Sequence, residues 1–213
     1  MKNVITVFDM WRAYEYYEKT GYTLKQLTYC IDENRRLLAN WYLVYHSGRS
    51  FKKIFSDRFE HSFGFGKSER FMKKEWLSHS DESFWVDKEE KPGYYLLNFG
   101  REREEDECRK LRFESITFSQ QESVISSLKK RRAPLNVVTE AVFSIYDMTG
   151  VLLLKGWNHL SDTRTYDGRL LYIGNTASKA SGEKIMNIFG FPKKQESDPK
   201  HYFGFGAVLV MEK

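Results

Sequence analysis

Between residues 111 and 211 the spacing of apolar side chains switches repeatedly between the two-residue period of a strand and the three-to-four-residue period of a helix. Residues 111–118 alternate and read as a strand. Ser119-Gln120-Gln121-Glu122 sets a hydroxyl three residues before a carboxylate, a capping-box pattern opening a helix through Val124, Ile125 and Leu128. That helix closes on Lys129-Lys130-Arg131-Arg132, ahead of Pro134, where positive charge suits the C-terminal end of the helix dipole. Residues 136–147 are rich in Val, Phe, Ile and Tyr and read as a strand; Asp147 to Gly150 is a turn, and 151–154 begin a return strand. A short strand follows at 169–173. Ser181 caps a helix through Ile185, Met186 and Phe189, stopped by Gly190, and 203–211 form a terminal strand. The order β-α-β-β-(β)-α-β matches the split βαβ, or ferredoxin-like, plan: an antiparallel sheet with two helices on one face and the other face open to a partner.

The first 105 residues read differently. Asp9 caps a helix carrying Trp11, Tyr14 and Tyr17 and ending near Gly21. Thr23 and Gln26 form another capping box, after which Leu24, Leu27, Ile31, Leu38, Trp41 and Tyr45 recur at helical spacing. The spacing predicts one long amphipathic helix ending near Gly48. Residues 83–86 and 94–99 read as two strands around Pro92-Gly93. The mixed-charge run 101–107 reads as a solvated segment and separates a helix-rich region, 1–105, from an α+β domain, 111–213. The expected class is α+β.

Composition limits the function classes. The hydrophobic fraction of 41% excludes a disordered chain, and 213 residues are enough to bury a core. The longest apolar stretches, such as Val151 to Leu154, fall far short of the roughly 20 residues a membrane span requires. The first residues hold too short an apolar run for a signal peptide. Cys30 and Cys108 are the only cysteines, too few for a disulfide framework or a four-cysteine zinc site, and read as reduced thiols of a cytoplasmic protein. No His, Cys and carboxylate cluster has metal-ligand spacing, so neither metal nor cofactor is expected. A net charge of +5 with 16% aromatic residues points towards nucleic acid.

Two segments share the pattern H-x-F-G-F-G: His61-Ser-Phe63-Gly-Phe65-Gly66, followed by Lys67, and His201-Tyr-Phe203-Gly204-Phe205-Gly206. Glycine lets a ligand approach the main chain, and the flanking rings can stack on unpaired bases. Two glycine-kinked strands with phenylalanines in the core would produce the same pattern. The clean basic cluster, Lys129, Lys130, Arg131 and Arg132, would supply phosphate contacts. The second glycine segment, before the terminal strand, resembles the glycine-rich loop of the CRISPR-associated RAMP superfamily, in which a G-[FLY]-G segment lies against RNA. The family's usual upstream glycine and basic residue are replaced here by Gln195 to Lys200, with one Lys. That resemblance implies RNA binding within a protein complex. Were it an enzyme, it would be a metal-independent endoribonuclease, with His46 beside Lys52 and Lys53 the candidate general base. His46 is equally read as a helix-end residue satisfied by the dipole.

Residues 23–45 allow a second reading, a helix-turn-helix in which Asn34, Arg35, Arg36 and Asn40 read duplex DNA in the major groove. Asp32 and Glu33 stand where that motif usually has Gly and an apolar residue, and a continuous helix explains the same spacing. A third reading is a structural or assembly subunit of a viral or defence complex, with the aromatics as interface anchors. Gly66-Lys67-Ser68 imitates the end of a P-loop, but its first glycine is replaced by His61.

Overall fold

The computed structural model describes residues 4–5, 12, 17–37, 41–54, 90–100, 115–151, 153–154, 157–177 and 184–213. In chain order the elements are β1 (Val4–Ile5), α1 (Tyr17–Thr20), α2 (Leu24–Leu37), β2 (Trp41–His46), β3 (Gly93–Asn98), α3 (Phe118–Ser127), β4 (Lys130–Arg132), α4 (Leu135–Thr149), β5 (Asn158–Arg164), β6 (Leu170–Ala177), β7 (Lys184–Gly190), β8 (Phe205–Gly206) and β9 (Leu209–Met211). They form an α+β protein with two sheets. The first has the order β1-β2-β3-β9-β4 and is antiparallel throughout; the second has the order β7-β6-β5-β8, with β5 and β8 parallel.

Strand alternation dictates the layering. In the first sheet Trp41, Leu43, Tyr94 and Leu96 point to one face, where they pack on Leu27, Cys30 and Ile31 of α2 and on Tyr22. Val44, Tyr95 and Leu97 point to the other face and meet α4. The far side of α4 packs on Leu171 and Ile173 of β6 and Ile188 of β7. The layers are therefore α2, first sheet, α4, second sheet. The outer face of the second sheet is covered by residues 191–204, here called the strap, through Phe191 and Tyr202 against Leu160 and Leu170.

Several sequence expectations are corrected. The helix expected to run from 24 to near Gly48 ends at Leu37, and Trp41–His46 is a strand paired along its whole length with β3. Leu38, Trp41 and Tyr45 fit a helical spacing, but the run Trp-Tyr-Leu-Val-Tyr consists of residues that pack best on a pleated surface, and the long partner strand decided it. This also removes the helix-turn-helix: α2 runs unbroken through Asp32 and Glu33, where the turn would lie, and Trp41–His46, the rest of the expected reading helix, is a strand. Residues 136–147, expected as a strand, lie within α4. That helix is buried on nearly every side from Leu135 to Ile145, and its run of Val, Phe and Ile is what a buried strand would also show. The expected hairpin turn at Asp147–Gly150 is its C-terminal end, and Val151, Leu153 and Leu154 are not in a strand. Residues 184–190, expected as a helix, pair with β6 over their full length as β7. Lys129–Arg132 is no helix end either, since β4 takes Lys130–Arg132. The capping box sits two residues earlier than expected: Thr117 and Gln120 cap α3 reciprocally. Strand β3 and the strand at 170–173 lie where they were expected.

Candidate nucleic-acid interface

The strap follows β7 and leads into β8, so it must cross the second sheet from one edge strand to the other. The Phe191 amide donates to Leu170 O at 2.6 Å, holding the strap to the first residue of β6. Arg164, at the end of β5, reaches Glu196 at 3.2 Å. The chain then makes two 3-10 turns, Lys193–Gln195 and Pro199–Tyr202. The Tyr202 hydroxyl donates to Glu196 O at 2.9 Å and ties the two turns together. Finally the Asn158 amide donates to Gly204 O at 2.8 Å, which places the strap's end beside the first residue of β5.

This path sorts the second H-x-F-G-F-G segment into inner and outer residues. Tyr202 is fully buried, with its ring 4.7 Å from Phe191. Phe205 is half-buried, edge-on to Tyr172 at 4.8 Å and to Phe191 at 5.2 Å. Phe203 points outward and is 63% exposed. Gly204 has φ +78°, in the left-handed region, and this reversal of chain direction separates the outward ring from the inward ring. His201 is half-buried and lies 3.5 Å from Asp198, whose carboxyl is held below its usual range chiefly by the hydrogen bond from Lys200. Lys193 and Lys194 are exposed and form no ion pair among the described residues. Sequence reasoning missed these two, although their position after Phe191-Pro192, where the chain leaves a strand, was a signal for exposure.

The basic cluster at 129–132 is mostly spent inside the protein. Lys130 is 7% exposed, its ammonium 5.2 Å from the Trp41 ring centre and 5.9 Å from that of Tyr29. Arg132 is buried: it bonds Glu122 at 2.6 Å, Gln121 at 3.0 Å and the Leu160 carbonyl, and lies over Phe118. Burial pulls its pKa down and Glu122 opposes that shift. Arg131, on the opposite face of the strand, pairs with Glu90 at 2.9 Å. Lys129 alone of the four is exposed without an ion pair among the described residues, and its φ of +52° is unusual for a side chain of that size.

The remaining candidates lie elsewhere. Asn34 is buried and clamps the first residue of β2: its side-chain amide donates to Trp41 O at 3.0 Å and its oxygen accepts from Trp41 N at 2.9 Å. Arg35 is exposed on α2. Asn40, the Arg36 side chain, and His61, Phe63, Phe65 and Lys67 lie outside the described residues, as do the strand expected at 83–86 and the charged run 101–107. Of the helix expected from Asp9 to near Gly21, the described Tyr17–Thr20 is helical; of the strand expected at 111–118, the described 115–117 is not a strand and Phe118 opens α3.

His46 is fully buried at the end of β2. Its Nδ1–H donates to Glu140 at 2.6 Å, and Asn136 Nδ2 stands 3.4 Å from its Nε2, placed to donate to it. Glu140 also accepts from the Ser47 amide at 3.0 Å, the Ser47 hydroxyl at 2.7 Å and the Arg49 guanidinium at 2.5 Å. Burial works against ionisation of this carboxyl, but the bonds from His46, Arg49 and Ser47 outweigh it and hold the pKa down at about 2. The network joins β2 to α4 and leaves neither ring nitrogen of His46 facing water.

Among the described residues no group of three His, Cys or carboxylate side chains could hold a metal ion, and no helix is long and apolar enough to cross a membrane. No protein-family model, curated protein or solved structure matches the chain.

Proposed function

We propose that the protein binds single-stranded nucleic acid, RNA foremost, along the outer surface of the strap, as one component of a complex. The observation that carries this reading is Phe203, an exposed ring on a glycine reversal, in a segment that also presents Lys193, Lys194 and Lys200 to solvent. Exposed rings stack on bases of any sequence, and lysines along the same path neutralise phosphates. In the RAMP-like glycine loop the aromatic between the glycines would correspond to Phe205; in this reading the outward Phe203 takes the base. The reading rests on the strap and not on a ferredoxin-like arrangement of the C-terminal half. It asks no chemistry of His46.

The test is fluorescence anisotropy with labelled oligouridylate and oligothymidylate. Binding is expected at low salt and should weaken with rising salt, with a log–log slope of about −2 if three phosphates are neutralised. Phe203→Ala should weaken binding about tenfold, within the usual range for loss of one stacked base. Lys193→Ala with Lys194→Ala should flatten the salt slope. Absence of binding at low salt would reject the reading.

A protein partner is the second reading. Leu24 and Tyr29 of α2 are 45% and 41% exposed, and such rings and aliphatics anchor interfaces. Assembly that depends on concentration, without affinity for either oligonucleotide, would favour it.

A further inference from the structure

We infer that Tyr166, at the tip of the β5–β6 hairpin, is a second stacking contact for the same strand of nucleic acid, at the far end of the strap from Phe203. This rests on the proposed function and adds to it a defined track and a minimum ligand length.

Tyr166 is 97% exposed, so its ring is accessible to a partner. The backbone that carries it is held firmly. The Thr165 amide donates to Arg169 O at 2.9 Å and the Gly168 amide to Thr165 O at 2.8 Å. The Arg169 amide donates back to the Thr165 hydroxyl at 3.0 Å, and that hydroxyl donates to Asp167. Arg169 Nε bonds Asp167 at 3.0 Å, while the Arg164 guanidinium reaches both Gly168 O and Glu196. A ring projected into water from a fixed turn loses little conformational freedom on binding, which favours contact over storage of apolar surface.

The tip is also continuous with the strap. Lys193 Nζ would lie 3.5 Å from a Cβ on Gly168, and Arg164 pairs with Glu196. In residues 164–169 and 193–196, Arg164, Arg169, Lys193 and Lys194 outnumber Asp167 and Glu196, and both carboxylates are already paired with the arginines. The lysines are therefore left to meet an anionic partner, which favours a phosphate backbone over an acid-rimmed or neutral protein pocket. Phe203 sits beside the first residue of β5 and Tyr166 lies two residues beyond its last. A strand of that length spans about 20 Å. That distance corresponds to about six nucleotides at a stacked spacing of 3.4 Å, and to fewer if the strand is stretched.

The experiment uses the full chain with labelled oligouridylates of three and ten nucleotides, and compares wild type, Tyr166→Ala, Tyr166→Phe and Phe203→Ala. The wild type should bind the longer probe far more tightly. Tyr166→Ala should bind that probe about tenfold more weakly and lose most of the gain with length, while Tyr166→Phe keeps both, because the ring and not the hydroxyl does the stacking. The Tyr166→Ala protein should melt at the wild-type temperature, as an exposed side chain predicts. If Tyr166→Ala binds the longer probe like wild type while Phe203→Ala does not, the second contact is overturned and the strap reading survives. Loss of self-association in Tyr166→Ala, with nucleic acid binding intact, would overturn it in favour of a protein interface. If the wild type binds neither probe, the functional reading itself fails.

Discussion

Gly48 separates Ser47 from Arg49, two of the three residues that bond Glu140, and its φ of +69° aims both side chains at the one carboxylate. A Cβ there would also lie 2.8 Å from Pro92 Cδ and 3.1 Å from Pro92 N. The left-handed conformation alone disfavours a side chain by 1–2 kcal/mol, so Gly48→Ala is expected to destabilise the fold by about 2 kcal/mol, read from the urea midpoint. The residue scale also shows where sequence reading stopped. His201, Phe203 and Lys130 are side-chain types that bind nucleic acid, and their presence was plain. Which of them faces water was not: Lys130 is closed over Trp41, whose strand lies nearly ninety residues earlier in the chain, and Tyr202 turns inward one residue before Phe203 turns out.

At the scale of elements, Asn34 explains how a chain that looked like one helix became a helix and a strand. Both halves of its amide are bonded to the main chain of Trp41, so α2 ends where β2 must begin. Sequence reading noted Asn34 only as a base-reading candidate. Asn34→Ala leaves a buried N–H and C=O without these partners. Each such group costs about 1–3 kcal/mol, and the expected loss is about 3 kcal/mol, with helix content affected less than tertiary signals in circular dichroism. Asn34→Asp should recover only part, because it restores the acceptor and not the donor. The misread elements share one cause. α4 is surrounded by two sheets, and β7 is recognised only with β6 beside it, so neither is identified from its own residues alone.

For the whole molecule, His159 joins the two sheets. Its Nε2–H donates to Ala133 O at 2.9 Å, next to β4, and its Nδ1 accepts from the Val208 amide at 2.9 Å, just before β9. Burial, reinforced by Arg132, holds its pKa down at about 3, against 6.5 for an ordinary histidine. The unfolded chain therefore takes up a proton that the folded chain refuses, and stability present above pH 6.5 is lost as the pH falls towards 3. Between pH 7 and pH 5 that loss is about 2 kcal/mol, and Glu140, held at about 2, adds a further loss below its ordinary value of 4.5. Urea unfolding at pH 7 and pH 5 should show the drop, and His159→Gln should remove most of it even though that variant is less stable at pH 7. An unchanged slope in the variant would place the acid sensitivity elsewhere. The α+β class, the start of α2, the existence of α3, and strands β3 and β6 followed from the sequence by itself, because caps, turns and one-sided burial are local and leave a period in the chain. Three things were decided only by the tertiary structure: that Trp41–His46 is a strand, that Leu135–Thr149 is a helix, and which cations and rings remain at the surface. In each case the deciding partners are distant in sequence, and burial on both sides erases the pattern from which a single element can be read.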